Sequence, residues 1–229
     1  RYSDSIDYKK YEGQIQKLID THIESGEVKV ITELVNIFDK EKFEEEVEKV
    51  MGKAAKADTI ASRTAKYINE NMDFDPTFYK KFSEMLKETI SEYEQGRINE
   101  AEYLKRVMKH KEDVLAHTDD EIPQVLNGNH AGKAYFGLSL EVYKTIETDN
   151  NDFDFKQIAL DTSLAFEQII KPRVIIDWQT NSTLIGKIKI ELEDFLIDEV
   201  KRKYDMPLTF ENMDTIIDKC VDIAKLWYK

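Results

Sequence analysis

The sequence predicts an all-α protein, a bundle of roughly eight helices. Apolar residues recur at steps of three and four along most of the 229-residue chain, which is the period of an amphipathic helix. The chain contains only 8 Gly and 4 Pro, so few residues interrupt helices or form the tight turns of a β fold. Hydrophobic residues make up 41% of the chain, which is enough for a packed core.

Helix-end signals place the elements of the N-terminal part. A first helix is predicted over residues 5–24, and Gly26 is a suitable C-terminal stop for it. Residues 28–38 are ambiguous between a short β-like piece and a helical turn. From residue 41 to 71 the apolar steps continue through Gly52, which predicts one long helix weakened at that glycine.

Residues typical of helix caps mark the helices predicted in the middle of the chain. Asp75 is a suitable N-cap and Pro76 suits the first helical position, while Gly96 ends that helix. Asn99 and Glu102 form a start like a capping box for the next helix. The predicted elements that follow are a loop with one turn of helix near 118–130 and a helix over about 130–147.

The C-terminal part predicts three more helices. They cover about 155–170, 182–204 and 209–229, with a break at Pro172 and an apolar connector, "RVIIDW", between the first two. Trp178 in this connector either fills a gap between helices or contributes to a partner interface. The stripe of the last helix, which includes Cys220, indicates a core face or a short coiled-coil seam.

The domain boundary is predicted after residue 74. We expect a first unit at 1–74, the end of a longer helical domain, and a second unit, a helical assembly domain, at 75–229. A single continuous helical domain is the alternative. The stretch "TDNNDFD", residues 148–154, is the most linker-like part of the chain because it is polar and turn-prone.

The overall charge and the cysteine count limit the class of protein. The formal net charge is −13, so indiscriminate binding to nucleic acid is not expected and any contact needs a local basic surface. One cysteine cannot form an intrachain disulfide, and no apolar run reaches the length of a membrane span. We therefore expect a cytoplasmic protein without membrane contact. The missing initiator Met indicates a piece of a longer chain.

The stretch "MGKAAKADTIASRTAKYI" contains a Gly-Lys pair and four basic side chains in an otherwise acidic chain. It is not a P-loop, because the earlier glycine is missing and Ala54 stands where Ser or Thr would bind Mg²⁺. Read as a helix, it places Lys56, Arg63 and Lys66 within about 80° of one another, beside a stripe of alanines. This row either contacts DNA phosphates or is a solvated flank paired with acidic neighbours.

No catalytic residue and no metal site is predicted. The four histidines have no partner at the H-x-x-x-H, E-x-x-H or C-x-x-C spacings that place ligands on one helix face. No G-x-S-x-G nucleophile elbow is present. Cys220 lies within an apolar stripe and is expected to be packed and inert.

Several stretches in order resemble the C-terminal helical region of the R subunit of type I restriction enzymes. They are "ITELVNIFDKEKFEEEVEKV", "GKAAKADTIASRTAKYI", "DPTFYKKFSEMLKETI", "RINEAEYLKRV" and "VIIDWQTNSTLIGKIKIELEDFLIDEV". The resemblance implies a parent subunit with a nuclease domain and an ATP- and Mg²⁺-dependent DNA translocase. The catalytic motifs of that family have no counterparts here, so no catalytic residue and no cofactor is assigned to this chain.

The resemblance further implies that this region docks the R subunit onto the methyltransferase core of modification and specificity subunits. It also implies proximity to DNA in the assembled complex. We expect Trp178 and Trp227 at the partner interface, and Lys56, Arg63 and Lys66 as DNA contacts. The alternatives are a free-standing helical interaction or regulatory domain and an enzyme with its site inside a helical bundle.

Overall fold

The computed structural model describes residues 40–147 and 153–229, which contain eight α-helices and no strand. The predicted all-α class is confirmed for this part of the chain. The predictions for residues 5–24, 28–38 and most of the 148–154 linker lie outside the described residues. The helices are α1 Lys40–Lys49, α2 Lys53–Asn71, α3 Pro76–Glu94, α4 Glu100–Ala116, α5 His130–Lys144, α6 Phe155–Ile170, α7 Ser182–Phe195 and α8 Phe210–Trp227.

The long helix predicted over residues 41–71 is wrong, because α1 and α2 are separate. Gly52 has a φ of 90°, which lies in the left-handed region and cannot continue an α-helix. The apolar steps pass through the break because Val50 and Ala57, on its two sides, are both buried. A periodic pattern therefore identifies which residues face the core, and it does not report whether the backbone between them is continuous.

The predicted N-caps Asp75 and Asn99 and the predicted stop at Gly96 are confirmed. The Glu102 side chain accepts from Arg106 instead of completing a capping box with Asn99. The Phe78 backbone N–H donates to Asp75 Oδ1 over 3.1 Å at the start of α3, and Gly96 adopts a φ of 67° after its end. Asn99 Oδ1 accepts from the backbone N–H of Glu102 at the start of α4. These side chains satisfy backbone groups that a helix leaves unpaired at its termini, so the helix starts are fixed locally.

The described residues divide into two compact units. Unit 1 contains 40–72 and 79–118, and unit 2 contains 73–78 together with the chain from 119 onward. The predicted boundary after residue 74 differs from this division. Residues 79–118 count with unit 1 because α4 packs along α2.

Unit 1 is built on the alanine stripe of α2. Ala57, Ala61 and Ala65 are buried in one cluster with Tyr103 and Val107 of α4. Small side chains allow the two helix axes to approach closely, while the Tyr103 ring fills the space beside them.

Unit 2 is built around α5, which has ten buried residues among its fifteen. α5 packs against α6 and α8. The Ser163 hydroxyl of α6 donates to the Gly132 backbone oxygen over 2.6 Å, and the hydroxyls of Tyr143 and Thr162 lie 2.9 Å apart. These contacts tie the two helices at points where a glycine and small polar side chains permit close approach.

The predicted helix over 182–204 is present as α7 followed by a π-helical segment, Leu196–Arg202. The buried residues Ile188, Leu192, Leu196 and Val200 are spaced at strict intervals of four. In an α-helix each such step turns the side chain by about 40°, which would carry the row away from the core. The wider π turn reverses part of that rotation and keeps Val200 buried.

We predict that Ala61→Leu destabilises the protein by about 1–3 kcal/mol, because Ala61 is 0% exposed and its stripe has no room for a larger side chain. Urea unfolding followed by circular dichroism measures the change. Ala55→Leu, on the exposed side of α2, is the matched control and should leave the unfolding free energy nearly unchanged. Equal effects of the two substitutions would contradict close packing at the stripe.

Candidate interaction surfaces

The predicted basic row lies along one flank of α2. Lys56 and Arg63 are half-buried, and Lys66 is exposed. The ammonium of Lys66 lies 3.7 Å from a carboxylate oxygen of Glu70, four residues further along the helix. Lys56 has no ion pair within the part of the chain that the structure describes. The row therefore combines one paired and one unpaired lysine, and its contact with DNA remains a prediction.

Trp178 belongs to the core of unit 2. Its side chain is 1% exposed, and its indole Nε1–H donates to the Tyr228 backbone oxygen over 2.8 Å. The interpretation that this residue fills a gap between helices is confirmed. It offers a partner almost no surface in this fold, and the interface role assigned to it remains an untested prediction.

Trp227 lies at the end of α8 and is half-buried. Its indole Nε1–H donates to the Phe74 backbone oxygen over 3.0 Å, and its ring stacks on His130 with centroids 5.2 Å apart. These contacts hold the segment 73–78 on unit 2 and leave only part of the ring accessible. The interface role predicted for Trp227 is likewise untested.

The connector between α6 and α7 exposes two consecutive isoleucines, which the sequence patterns did not single out. Ile175 is 59% exposed and Ile176 is 92% exposed. The segment is ordered by the Arg173 guanidinium, which donates to the Ile169 backbone oxygen and to the Glu191 carboxylate. The signal in the sequence was the "VII" run, which lies outside any helical period.

A second exposed surface in unit 1 also escaped prediction. It is a surface groove of about 430 Å³ along α4, and we call it the lysine groove. Its three lysines have no ion pair within the described residues. The sequence did contain a signal for this groove. Lys105 and Lys109 lie four residues apart on α4, next to the apolar residues Leu104 and Met108 with the same spacing. The lining residues are Lys53, Ala101, Leu104, Lys105, Met108, Lys109 and Glu112.

The buried titratable groups have structural roles. Burial lowers the pKa of His110, whose Nε2 lies 3.0 Å from the Thr89 hydroxyl and whose Nδ1 has no hydrogen-bond partner among the described residues. Burial also lowers the pKa of Lys133, although the nearby charges of Asp75 and Asp119 oppose the shift. Burial raises the pKa of the Cys220 thiol, which is packed in the core as predicted.

No group of three or more metal-ligating side chains occurs among the described residues. No described helix is both long enough and apolar enough to cross a membrane. In the described ranges, the exposed surfaces include the basic row on α2, the exposed isoleucine pair and the lysine groove. Further large apolar side chains are exposed at Met51, Val125, Ile190 and Phe210. These features define an all-α protein of two helical units whose notable surfaces suit binding.

A comparison with protein families identifies the family to which the chain belongs. The family described as "Type I restriction enzyme HindI endonuclease subunit-like, C-terminal" matches residues 3–225. The chain belongs to this family, and the resemblance found in the sequence is confirmed. No curated protein and no solved structure matches the chain.

We predict that His110 makes the protein less stable at acidic pH. A histidine whose pKa is lowered by folding binds its proton more readily in the unfolded chain, so the unfolding free energy falls as pH drops below about 6.5. Above that pH the imidazole is neutral in both states and the effect disappears. Urea unfolding between pH 7.5 and pH 5 should show a smaller loss of unfolding free energy for His110→Gln than for the unsubstituted chain. The control is His130→Gln at an exposed position, and an equal slope for both variants would contradict the assignment.

Proposed function

We propose that the chain is a non-catalytic docking module of a type I restriction enzyme R subunit. In this proposal it joins the ATP-dependent translocase and nuclease to the core of modification and specificity subunits in the cytoplasm. The observation that carries the proposal is the exposed pair Ile175 and Ile176, held on an ordered connector in a chain of the C-terminal domain family. The ATP and Mg²⁺ chemistry is assigned to other parts of the subunit.

The energetics favour a binding role for the isoleucine pair. Each isoleucine side chain gains about 1.5–3 kcal/mol when it is fully removed from water. The Arg173 hydrogen bonds and the buried Trp178 already order the connector on both sides of the pair. Binding would therefore cost little conformational entropy, which is the condition under which a small apolar contact contributes strongly to affinity.

We predict that Ile175→Ser combined with Ile176→Ser weakens binding to the modification–specificity core at least about tenfold, since both side chains lose apolar surface. A pull-down or biolayer measurement with the purified core gives the dissociation constants. The matched control is Val125→Ser, which is 64% exposed in the short 3₁₀ turn Gln124–Leu126.

Two outcomes of that experiment count against the proposal. A folded chain that fails to bind the core at all contradicts the docking function and favours a free-standing interaction domain. A double serine variant that binds as tightly as the unsubstituted chain leaves docking intact but contradicts the use of this surface.

A DNA contact is the second proposed function. It is favoured by Lys56, which has no ion pair among the described residues, and by the exposed Lys66 on the same flank of α2. We predict that reversing the charge of Lys56, Arg63 and Lys66 to Glu flattens the salt dependence of DNA association by the assembled complex. Each phosphate contact adds about 0.9 to the slope of log K against log salt, so losing three contacts lowers it by about 2.7. Fluorescence anisotropy with labelled duplex DNA at several salt concentrations measures the slope.

A control with the same change in net charge separates local contact from overall repulsion. It reverses three exposed lysines on other helices, namely Lys80, Lys187 and Lys219. This variant should change the affinity for DNA but keep the part of the salt dependence of log K that comes from the basic row on α2. An unchanged slope in the α2 variant would exclude the row as a DNA contact.

A further inference from the structure

We propose that the lysine groove of unit 1 is a docking site for an amphipathic helix of a partner protein whose apolar stripe is flanked by Asp and Glu. The proposal concerns a surface different from the isoleucine pair and a specific chemistry of the occupant. It goes beyond the proposed docking function, which names neither this groove nor an acidic helix.

The floor of the groove is apolar. Met108 is 41% exposed, Ala101 is exposed and Leu104 is half-buried, and all three follow one another at steps of three and four on α4. They extend over about 10 Å, or two helical turns. A partner helix presents its apolar anchors at i, i+3 or i+4, and i+7, which covers the same length. Methionine adapts its unbranched side chain to the shape of such an anchor.

The rim of the groove is basic. The rim is lined by Lys53 at the start of α2 and by Lys105 and Lys109 on α4. Among the described residues, Glu112 is the acidic residue that lines it. The three lysines have no ion pair within the described residues, although the chain as a whole carries a net charge of −13. Glu102 also interacts electrostatically with Lys105, and its carboxylate accepts a hydrogen bond from Arg106. At physiological salt the Debye length is about 8 Å, so a ligand inside the groove responds mainly to these local charges, among which the positive ones are more numerous.

The combination of floor and rim favours a protein helix over a nucleic-acid backbone. A phosphate backbone is held by charged and hydrogen-bonding groups along its whole path. The side chains of Leu104 and Met108 on the floor donate no hydrogen bond. A bound phosphate backbone would therefore leave these apolar atoms in water or cover them without an apolar contact. An acidic amphipathic helix matches both parts, since its apolar stripe covers the floor and its carboxylates reach the flexible lysines.

The test uses a fluorescein-labelled peptide of about four helical turns, capped at both ends, with leucines at i, i+3, i+4 and i+7 and glutamates on both flanks. Its matched control peptide carries lysine in place of every glutamate. We expect the glutamate peptide to bind the chain in fluorescence anisotropy at about 0.15 M salt, and the lysine peptide to bind at least about tenfold more weakly.

Substitutions in the chain locate the binding. The double substitution Lys105→Glu with Lys109→Glu should lower the affinity for the glutamate peptide at least about tenfold. The control Lys80→Glu with Lys219→Glu has the same net charge and should leave this affinity unchanged. Met108→Ser, at an exposed position, should weaken binding through the floor alone.

Three results would overturn the inference. They are equal binding of the two peptides, no effect of the Lys105 and Lys109 reversals, and displacement of the peptide by duplex DNA with loss of DNA binding in the same variant. The last result would identify the groove as a nucleic-acid surface. The variant Ile175→Ser with Ile176→Ser should bind the peptide normally, so a failure of core docking and a failure of the groove are separate outcomes.

Discussion

The close approach of α2 and α4 is the constraint on which unit 1 depends. Three buried alanines, Ala57, Ala61 and Ala65, let α4 lie against α2, and the Tyr103 ring closes the space beside them. The Tyr103 hydroxyl also donates to Asp58 Oδ1 over 2.9 Å, which fixes the pairing of the two helices. Because the helices are held at this distance, a lysine at the start of α2 comes beside two lysines of α4. The lysine groove is therefore a consequence of the alanine stripe.

Unit 2 shows how an exposed apolar group can be kept in a folded protein. Trp178 is buried and bound to the Tyr228 backbone oxygen, and Arg173 is bound to α6 and α7. These contacts fix the connector at both ends, so Ile175 and Ile176 cannot turn inward. The connector is ordered by the buried tryptophan and by Arg173, whereas the two isoleucine side chains are exposed, which is the arrangement expected of a binding surface rather than of a core.

The parts of the fold that are encoded locally could be predicted from the sequence. Asp75, Asn99 and Gly96 mark helix ends through their own hydrogen bonds or backbone angles, and the alanine stripe follows from helical spacing. The break at Gly52 was missed because the apolar period passes through it. The assignment of 79–118 to unit 1 depends on contacts between residues distant in the chain, which the apolar period of a single helix does not reveal. For Trp178 the sequence left two roles open, and the burial of its ring supports the filling of a gap between helices.

The lysine groove could have been found only by combining two signals that were treated separately. Lysines at i and i+4 on α4 are typical of a solvated flank, and so are scattered apolar residues such as Met108. Their joint position beside Lys53 of another helix distinguishes the groove from such a flank. Charge attraction in the groove weakens with salt, whereas the apolar contact of the isoleucine pair does not. The salt dependence of binding therefore distinguishes the two surfaces. A binding module with both kinds of surface can be selective for its partner by charge while retaining affinity through apolar burial.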